Sequence, residues 1–223
     1  MNAPQALDDR PVAIPRIARP GPLRLPLWLR AVVLLCCLVE AATQIAPLLG
    51  FERARVAGVL LGGFWTPLLQ GGVGLYPGQG VLMFLTYGLL HAGLLHLAMN
   101  MISLVAVGRE LQRMIGSARM ALVYALTQVA AALTFAVMAP QAGPMVGASG
   151  AIFGLAGALV GHAAVTLRRR HLSTGPLVRS VGLLLVLNIA LTLLLPSIAW
   201  QAHLGGGVAG LLLGAAMALT PRR

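Results

Sequence analysis

The sequence predicts an all-α membrane protein in which six transmembrane helices form one bundle, with a long outer loop between the first two helices. Three observations predict this class: the composition, six long apolar stretches and the placement of the arginines. Hydrophobic residues make up 58% of the 223 residues, charged residues 9%, and the mean hydropathy is +0.88. An average soluble domain is roughly a quarter charged, so this chain has too few charges to cover a water-facing surface.

The six apolar stretches are each about as long as a helix that crosses a bilayer. They lie at about residues 28–49, 92–113, 117–139, 148–167, 178–197 and 202–220. Residues 50–91 are also apolar, but glycines and prolines break the run, and we expect a loop structure in or on one membrane face. Residues 1–26 are expected to form a flexible cytoplasmic leader rather than a secretory signal, which leaves residues 27–223 as the membrane domain.

The arginines predict the orientation. All 16 basic residues are arginine, and the net charge is +11. With six helices and the N-terminus inside, only Arg53 and Arg55 fall on the outer side. The positive-inside rule therefore places both termini in the cytoplasm, and the basic run at 168–170 is expected to meet the headgroups of the lipid bilayer. No basic groove interleaved with aromatic residues appears, so no nucleic-acid partner is expected.

A few polar residues lie within the apolar stretches at matching depth. His96, Ser149 and His203 precede the inner arginines of the second, fourth and sixth stretches by 17, 19 and 19 residues. At 1.5 Å per residue they lie roughly 26–28 Å from those charges, near the outer ends of their helices. Asn100 is one turn deeper, on the same face as His96.

Two glycine stripes predict that the fourth and sixth helices touch, because small residues let membrane helices approach closely. One stripe lies on the same face as His203, and the other runs beside Ser149. Taken alone, such stripes are equally typical of general helix packing. Their members are Gly206, Gly210 and Gly214 in the sixth stretch, and Gly150, Gly154, Gly157 and Gly161 in the fourth.

This arrangement suits a serine nucleophile and its base. A hydroxyl is a weak nucleophile until a base takes its proton, and His203 has the right pKa range to act on Ser149. The usual third member is a carboxylate, but no acidic residue is expected at this depth, since Glu40 is expected in the middle of the first helix, deeper than the serine. The residues therefore favour a Ser–His dyad over a triad.

Acyl transfer also needs hydrogen-bond donors for the developing oxyanion. The side chains of His96 and Asn100 and the backbone N–H of Ser149 can supply them. Gly147 and Gly150 suit the same site, because glycine permits a tight turn and a close approach of the substrate.

Three segments carry a family resemblance. "HAGLLHLAMN" (91–100), "GASGAIFG" (147–154) and "AHLGGGVAG" (202–210) resemble, in order, the signatures of the rhomboid family of intramembrane serine proteases. The resemblance covers about residues 50–220. It implies a six-helix rhomboid core in a bacterial inner membrane, acting without a cofactor on transmembrane protein substrates near the outer face. It implies Ser149 as nucleophile, His203 as general base, and His96 and Asn100 at the oxyanion site.

The sequence departs from the family pattern at three places. Leu82 and Met83 stand where many members have Trp-Arg, and Gln112 stands where a glutamate is frequent. Phe153 replaces a frequent tyrosine and is an acceptable stacking partner for His203. The first two changes concern scaffolding and substrate access rather than the chemistry.

Two rival functions are weighed against proteolysis. A proteolytically inactive, client-binding rhomboid-like protein usually lacks the serine or the histidine, and both are present here. A small transporter using Glu40 and the histidines would be expected to show a repeat between its halves, which the sequence lacks. For Glu40 itself we expect a protonated acid bonded to a neighbouring helix, in preference to a proton relay. His91 is expected to fix the outer loop by hydrogen bonding.

Overall fold

The computed structural model describes residues 24–194 and 198–220, and these ranges fold almost entirely into helices. Residues 1–23 of the predicted leader lie outside the described residues. The α-helices within the described ranges are α1 (Leu27–Ile45), α2 (Ala54–Gly62), α3 (Gln79–Thr86), α4 (Leu94–Ile115), α5 (Ser117–Met138), α6 (Ser149–Arg169), α7 (Gly175–Leu194) and α8 (Trp200–Leu219).

Among the described residues, five helices are long and apolar enough to cross a membrane: α1 with its 3₁₀ extension to Leu49, α4, α5, α6 and α8. They coincide with five of the six predicted stretches. Helix α7 occupies the place of the remaining stretch, 178–197, whose residues 195–197 lie outside the described part of the chain. The count of six spans therefore stays a prediction.

The segment between the first two spans contains more helix than the expected loop. Helices α2 and α3 have nine and eight residues, far fewer than the roughly 20 that a span needs. The side chain of Gln79 ties the two together, since its Nε2 donates to the carbonyl of Leu60 at 2.7 Å and its Oε1 accepts from the amide of Leu75 at 2.7 Å. Thr86 adds a 2.7 Å bond to the carbonyl of Gly62.

Helices α6 and α8 pack against each other along the two glycine stripes, as the sequence predicts. A Cβ added to a stripe residue of α8 would overlap a backbone carbonyl oxygen of α6, so the two backbones are in direct contact. The facing pairs are Gly206 with Gly150, Gly210 with Gly154, and Gly214 with Ala158. Because these pairs fix the register of the helices, the N-terminal ends of α6 and α8, with Ser149 and His203, lie side by side.

Candidate active site

Ser149 and His203 meet directly. The Oγ of Ser149 lies 2.8 Å from the Nε2 of His203, within hydrogen-bond distance, although 54 residues separate them in the chain. Ser149 is the first residue of α6 and His203 lies in the first turn of α8. Both side chains are partly buried, so the pair lies at the edge of the helix bundle and not sealed within its core.

Phe153 stacks on the imidazole of His203. The ring centroids are 4.3 Å apart and the planes differ by 11°. Phe153 is one helical turn after Ser149, so α6 supplies both the hydroxyl and the surface against which the histidine ring rests. This contact limits rotation of the His203 ring and keeps its Nε2 directed at the hydroxyl.

The loop that leads into α6 is fixed by backbone hydrogen bonds. Phe64 and Met145 form an isolated antiparallel bridge, with N–H···O distances of 2.8 and 2.9 Å. Two residues later, the amide of Gly147 donates to the carbonyl of Tyr87 at 2.9 Å. Ser149 is therefore positioned by the segment between α1 and α4 as well as by its own helix.

Gly147 lies between the serine and His96. Its φ of +122° is a conformation that residues with a Cβ rarely adopt. A Cβ placed there would come within 2.9 Å of Cε1 and 3.1 Å of Nε2 of His96, and within 3.8 Å of the Oγ of Ser149. Gly147 therefore leaves space for the His96 ring beside Ser149. Its amide is already bonded to Tyr87 and is not a free oxyanion donor.

His96 and Asn100 are joined to each other on α4. The side-chain amide of Asn100 donates to the carbonyl of His96 at 2.9 Å. Asn100 is buried, and its Oδ1 has no hydrogen-bond partner among the described residues. The Nδ1 of His96 accepts a hydrogen bond of 3.2 Å from the amide of Ala92. The structure therefore places the His96 ring beside Gly147. Asn100 lies one helical turn further along α4 and contacts His96 through its backbone carbonyl.

Glu40 differs from the expectation. It lies five residues before the C-terminal end of α1 and is bound bidentately by Arg55 of α2, with N···O distances of 2.7 and 3.1 Å. The expected partner on a neighbouring helix exists, but the expected protonated acid is wrong, because Glu40 is paired with a cation. Hydrogen bonding to Glu40 raises the pKa of Arg55. The sequence offered one signal for this pair, since Arg55 is one of the two arginines that the positive-inside rule predicts on the outer side.

His91 contributes through its backbone and not through its ring. Its carbonyl accepts a 2.8 Å hydrogen bond from Arg55, whereas its buried ring nitrogens make no well-formed hydrogen bond to a described residue. The ring lies edge-on to that of His96, with centroids 5.2 Å apart. Burial and, secondarily, the nearby His96 lower the pKa of His91 to about 4, so its imidazole is neutral at ordinary pH.

Two of the positions that depart from the family pattern, Met83 and Gln112, have structural partners. Met83 is fully buried against Phe64 and Tyr87, and its Sδ lies 3.4 Å from the amide nitrogen of Trp65. Leu82 is 45% exposed on the outside of α3. Gln112, in the last turn of α4, donates to the carbonyl of Arg24 at 3.4 Å. Met83 thus fills the apolar core beneath the loop that leads to Ser149.

The remaining polar residues lie elsewhere. His162 is 3.5 Å from the hydroxyl of Thr166 within α6, and the side chain of Asn188 lies outside the described part of the structure. Cys36 and Cys37 are both free thiols. Over residues 24–194 and 198–220, no group of three or more His, Cys, Asp or Glu side chains could hold a metal ion.

The comparisons with known proteins agree with this architecture. The family model of the rhomboid domain matches residues 78–220, more than half of the chain and including all five predicted site residues. The chain belongs to the rhomboid family. Rhomboid protease GluP of Bacillus subtilis (strain 168) is 34% identical over 135 residues, which cover 60% of this chain and 26% of that protein. The alignment thus spans about a quarter of that relative's length.

Family membership and the apolar helices together make the chain a multi-pass integral membrane protein of an intramembrane protease family. The matched region starts just before α3 and ends at the last described residue. It leaves α1 and α2 outside the matched part, and with them both Glu40 and Arg55. The match to the rhomboid domain therefore carries no information about the pairing of Glu40 with Arg55.

Proposed function

We propose that this rhomboid protein is an intramembrane serine endopeptidase that cleaves transmembrane protein substrates near the outer membrane face with a Ser149–His203 dyad. The observation that carries the proposal is the 2.8 Å separation of the serine hydroxyl from the histidine Nε2. It is the distance at which a base can take the proton of a nucleophile.

The reaction follows from that contact. His203 accepts the proton of Ser149 as Oγ attacks the scissile carbonyl, which gives a tetrahedral intermediate. The protonated His203 then gives this proton to the leaving amine, and an acyl-enzyme remains. Water activated by His203 hydrolyses the acyl-enzyme and regenerates the hydroxyl. The stacked ring of Phe153 orients the base, the role that a carboxylate has in a triad.

The oxyanion donors come from two helices. As the first residue of α6, Ser149 has an amide N–H without an intrahelical acceptor, at the positive end of the helix dipole. His96 presents its Cε1–Nε2 edge beside Gly147, and Asn100 supports it from one turn below. These donors are arranged before the substrate arrives, which is the condition for effective stabilisation of the transition state.

Substrate access and orientation belong to the same proposal. The dyad lies at one end of α6 and α8, and the arginine distribution makes that the outer end, with both termini in the cytoplasm. Water reaches the site from that side, and substrate helices with small or helix-breaking residues can unwind there. The bacterial relative supports a bacterial inner membrane as the location.

The rival functions have weaker support. A client-binding protein without activity has no need of a hydroxyl and an imidazole at hydrogen-bond distance. A proton-coupled transporter would need Glu40 to exchange protons, but the Arg55 guanidinium binds both of its carboxylate oxygens. A proton-flux measurement on Glu40→Gln tests the transporter separately.

The test is a cleavage assay in proteoliposomes with a fluorescent transmembrane substrate. We expect the parent protein to cut, and Ser149→Ala and His203→Ala to lose activity to background. Ser103→Ala, an exposed serine on α4, is the matched control and should cut like the parent. Cleavage by Ser149→Ala would refute the dyad. A folded parent without activity on several substrates would favour the client-binding function.

A further inference from the structure

One peptide group links the outer ion pair to the candidate oxyanion site. The carbonyl of His91 accepts a hydrogen bond of 2.8 Å from the Nη1 of Arg55. The N–H of the same peptide group, on Ala92, donates to the Nδ1 of His96 at 3.2 Å. A peptide group is planar and trans, so its carbonyl and its N–H point in opposite directions. Arg55 and His96 therefore bind the two ends of one rigid unit.

Arg55 is itself fixed from the other side. Its two terminal nitrogens hold the two oxygens of Glu40, whose side chain is only 1% exposed. Gln44, one turn later on α1, adds a 2.9 Å hydrogen bond to Glu40. Planar, bidentate, charge-assisted bonds of this kind are geometrically strict. The guanidinium thus has one favoured position, with its third bond at the His91 carbonyl.

The direction of each hydrogen bond sets the protonation of His96. A backbone N–H can only donate, so the Nδ1 that receives it carries no proton in the neutral ring. The proton of neutral His96 is then on Nε2. Nε2 is the nitrogen on the ring edge that faces Gly147 and, beyond it, Ser149. A cation on the carbonyl also polarises the peptide group and strengthens its N–H as a donor.

We propose that Arg55 is a positioning residue: the chain Glu40–Arg55–peptide 91–92–His96 holds His96 as its Nε2–H tautomer and aims that N–H at the oxyanion site. The proposal rests on the proposed function for its catalytic consequence, but the tautomer is a property of the resting protein. It also gives α1 and α2, which precede the matched rhomboid region, a direct part in the site.

The first test needs no substrate. The parent protein is labelled with ¹⁵N-histidine, and the imidazole signals are recorded at pH 8, where neutral rings dominate. The His96 signals are identified by their loss in His96→Gln. We expect a protonated Nε2 and an unprotonated Nδ1. A protonated Nδ1 in the parent protein would overturn the proposal directly, whatever the activity.

The second test removes the cation without leaving a buried charge. In Glu40→Gln/Arg55→Gln both charges disappear together, and we expect Nδ1–H His96 to become detectable. In the cleavage assay kcat should fall by about 10- to 100-fold, less than for direct loss of an oxyanion donor, with KM little changed. Arg55→Lys, which keeps a cation and a donor, should recover most of kcat and the Nε2–H tautomer.

The matched control is Arg53→Gln. Arg53 immediately precedes α2, is exposed and carries the same charge, so its loss should change neither the tautomer nor kcat. An unchanged His96 tautomer and kcat in the double variant would refute the positioning role of Arg55, as would a fall in kcat that Arg55→Lys does not reverse. Absence of cleavage by the parent protein would instead count against the proposed function. The NMR test would still decide whether Arg55 positions His96 as its Nε2–H tautomer.

Discussion

Gly147 carries two constraints that its neighbours in the same loop do not. Its φ of +122° disfavours any side chain, and the space where a Cβ would sit is bounded by the His96 ring at 2.9 Å. The sequence predicted a tight turn and a close approach of the substrate at this glycine, but not its contact with the His96 ring. The bond from its amide to Tyr87 was not predictable, since a backbone contact leaves no residue signature.

We expect Gly147→Ala to reduce kcat by about 100-fold, in the range found for loss of an oxyanion donor, because the methyl group would displace His96. The backbone strain should cost about 1–3 kcal/mol of stability. Cleavage kinetics and thermal unfolding measure the two effects. Gly143→Ala is the control in the same loop, since a Cβ there meets no described atom within 4 Å. Parent-like kcat in Gly147→Ala would contradict the proposed geometry.

The ion pair of Glu40 is a feature at the residue scale that the sequence did not predict. Counting residues along one helix gave a depth for Glu40, but not the tilt of α1 or the short helix that returns beside it. The partner, Arg55, is 15 residues away and comes back beside α1 because the chain turns between the two helices, where Gly50 has a φ of +90°. The available signal in the sequence was that Glu40 and Arg55 carry opposite charges and lie near the same end of the first apolar stretch.

At the scale of elements, the long spans were predictable and the short helices were not. α4, α5, α6 and α8 are runs of about 20 apolar residues, a pattern that has few other solutions in a membrane protein. α2 and α3 are held by side chain to backbone bonds from Gln79 and Thr86, within a segment where glycines and prolines suggested a loop. Whether these two helices form depends on tertiary contacts, which the hydrophobic periodicity of the sequence does not reveal.

The contact of α6 with α8 leads to a prediction at this scale. In Gly206→Ala the new methyl group would meet the carbonyl oxygen of Gly150, forcing the helices apart and moving His203 away from Ser149. We expect stability to fall by about 1–3 kcal/mol, as for overpacked cores, and cleavage to be lost. Thermal unfolding in detergent and the cleavage assay measure these effects.

Gly182→Ala provides the reference for that change. It makes the same substitution in α7, where a Cβ meets no described atom within 4 Å, and should leave both stability and cleavage near the parent values. Equal behaviour of the two variants would show that the stripe on α8 is not what sets the Ser149–His203 distance.

For the whole molecule, the arginine distribution predicts six spans with both termini in the cytoplasm. In a background with Cys36 and Cys37 replaced by alanine, single cysteines at Gln141 and Ser173 report the two ends of α6. Both positions are exposed. In intact cells an impermeant maleimide should label the cysteine at 141 but not at 173. The reverse pattern would place the dyad on the inner face and contradict the orientation.

The central claim is that Ser149 is a nucleophile activated by His203, and covalent labelling tests it most directly. The protein in proteoliposomes is treated with a serine-reactive phosphonate, and the adduct is located by mass spectrometry of its peptides. We predict one adduct, on Ser149, in the parent protein and none in Ser149→Ala or His203→Ala. A folded parent protein without an adduct, or His203→Ala labelled at the parent rate, would contradict the account.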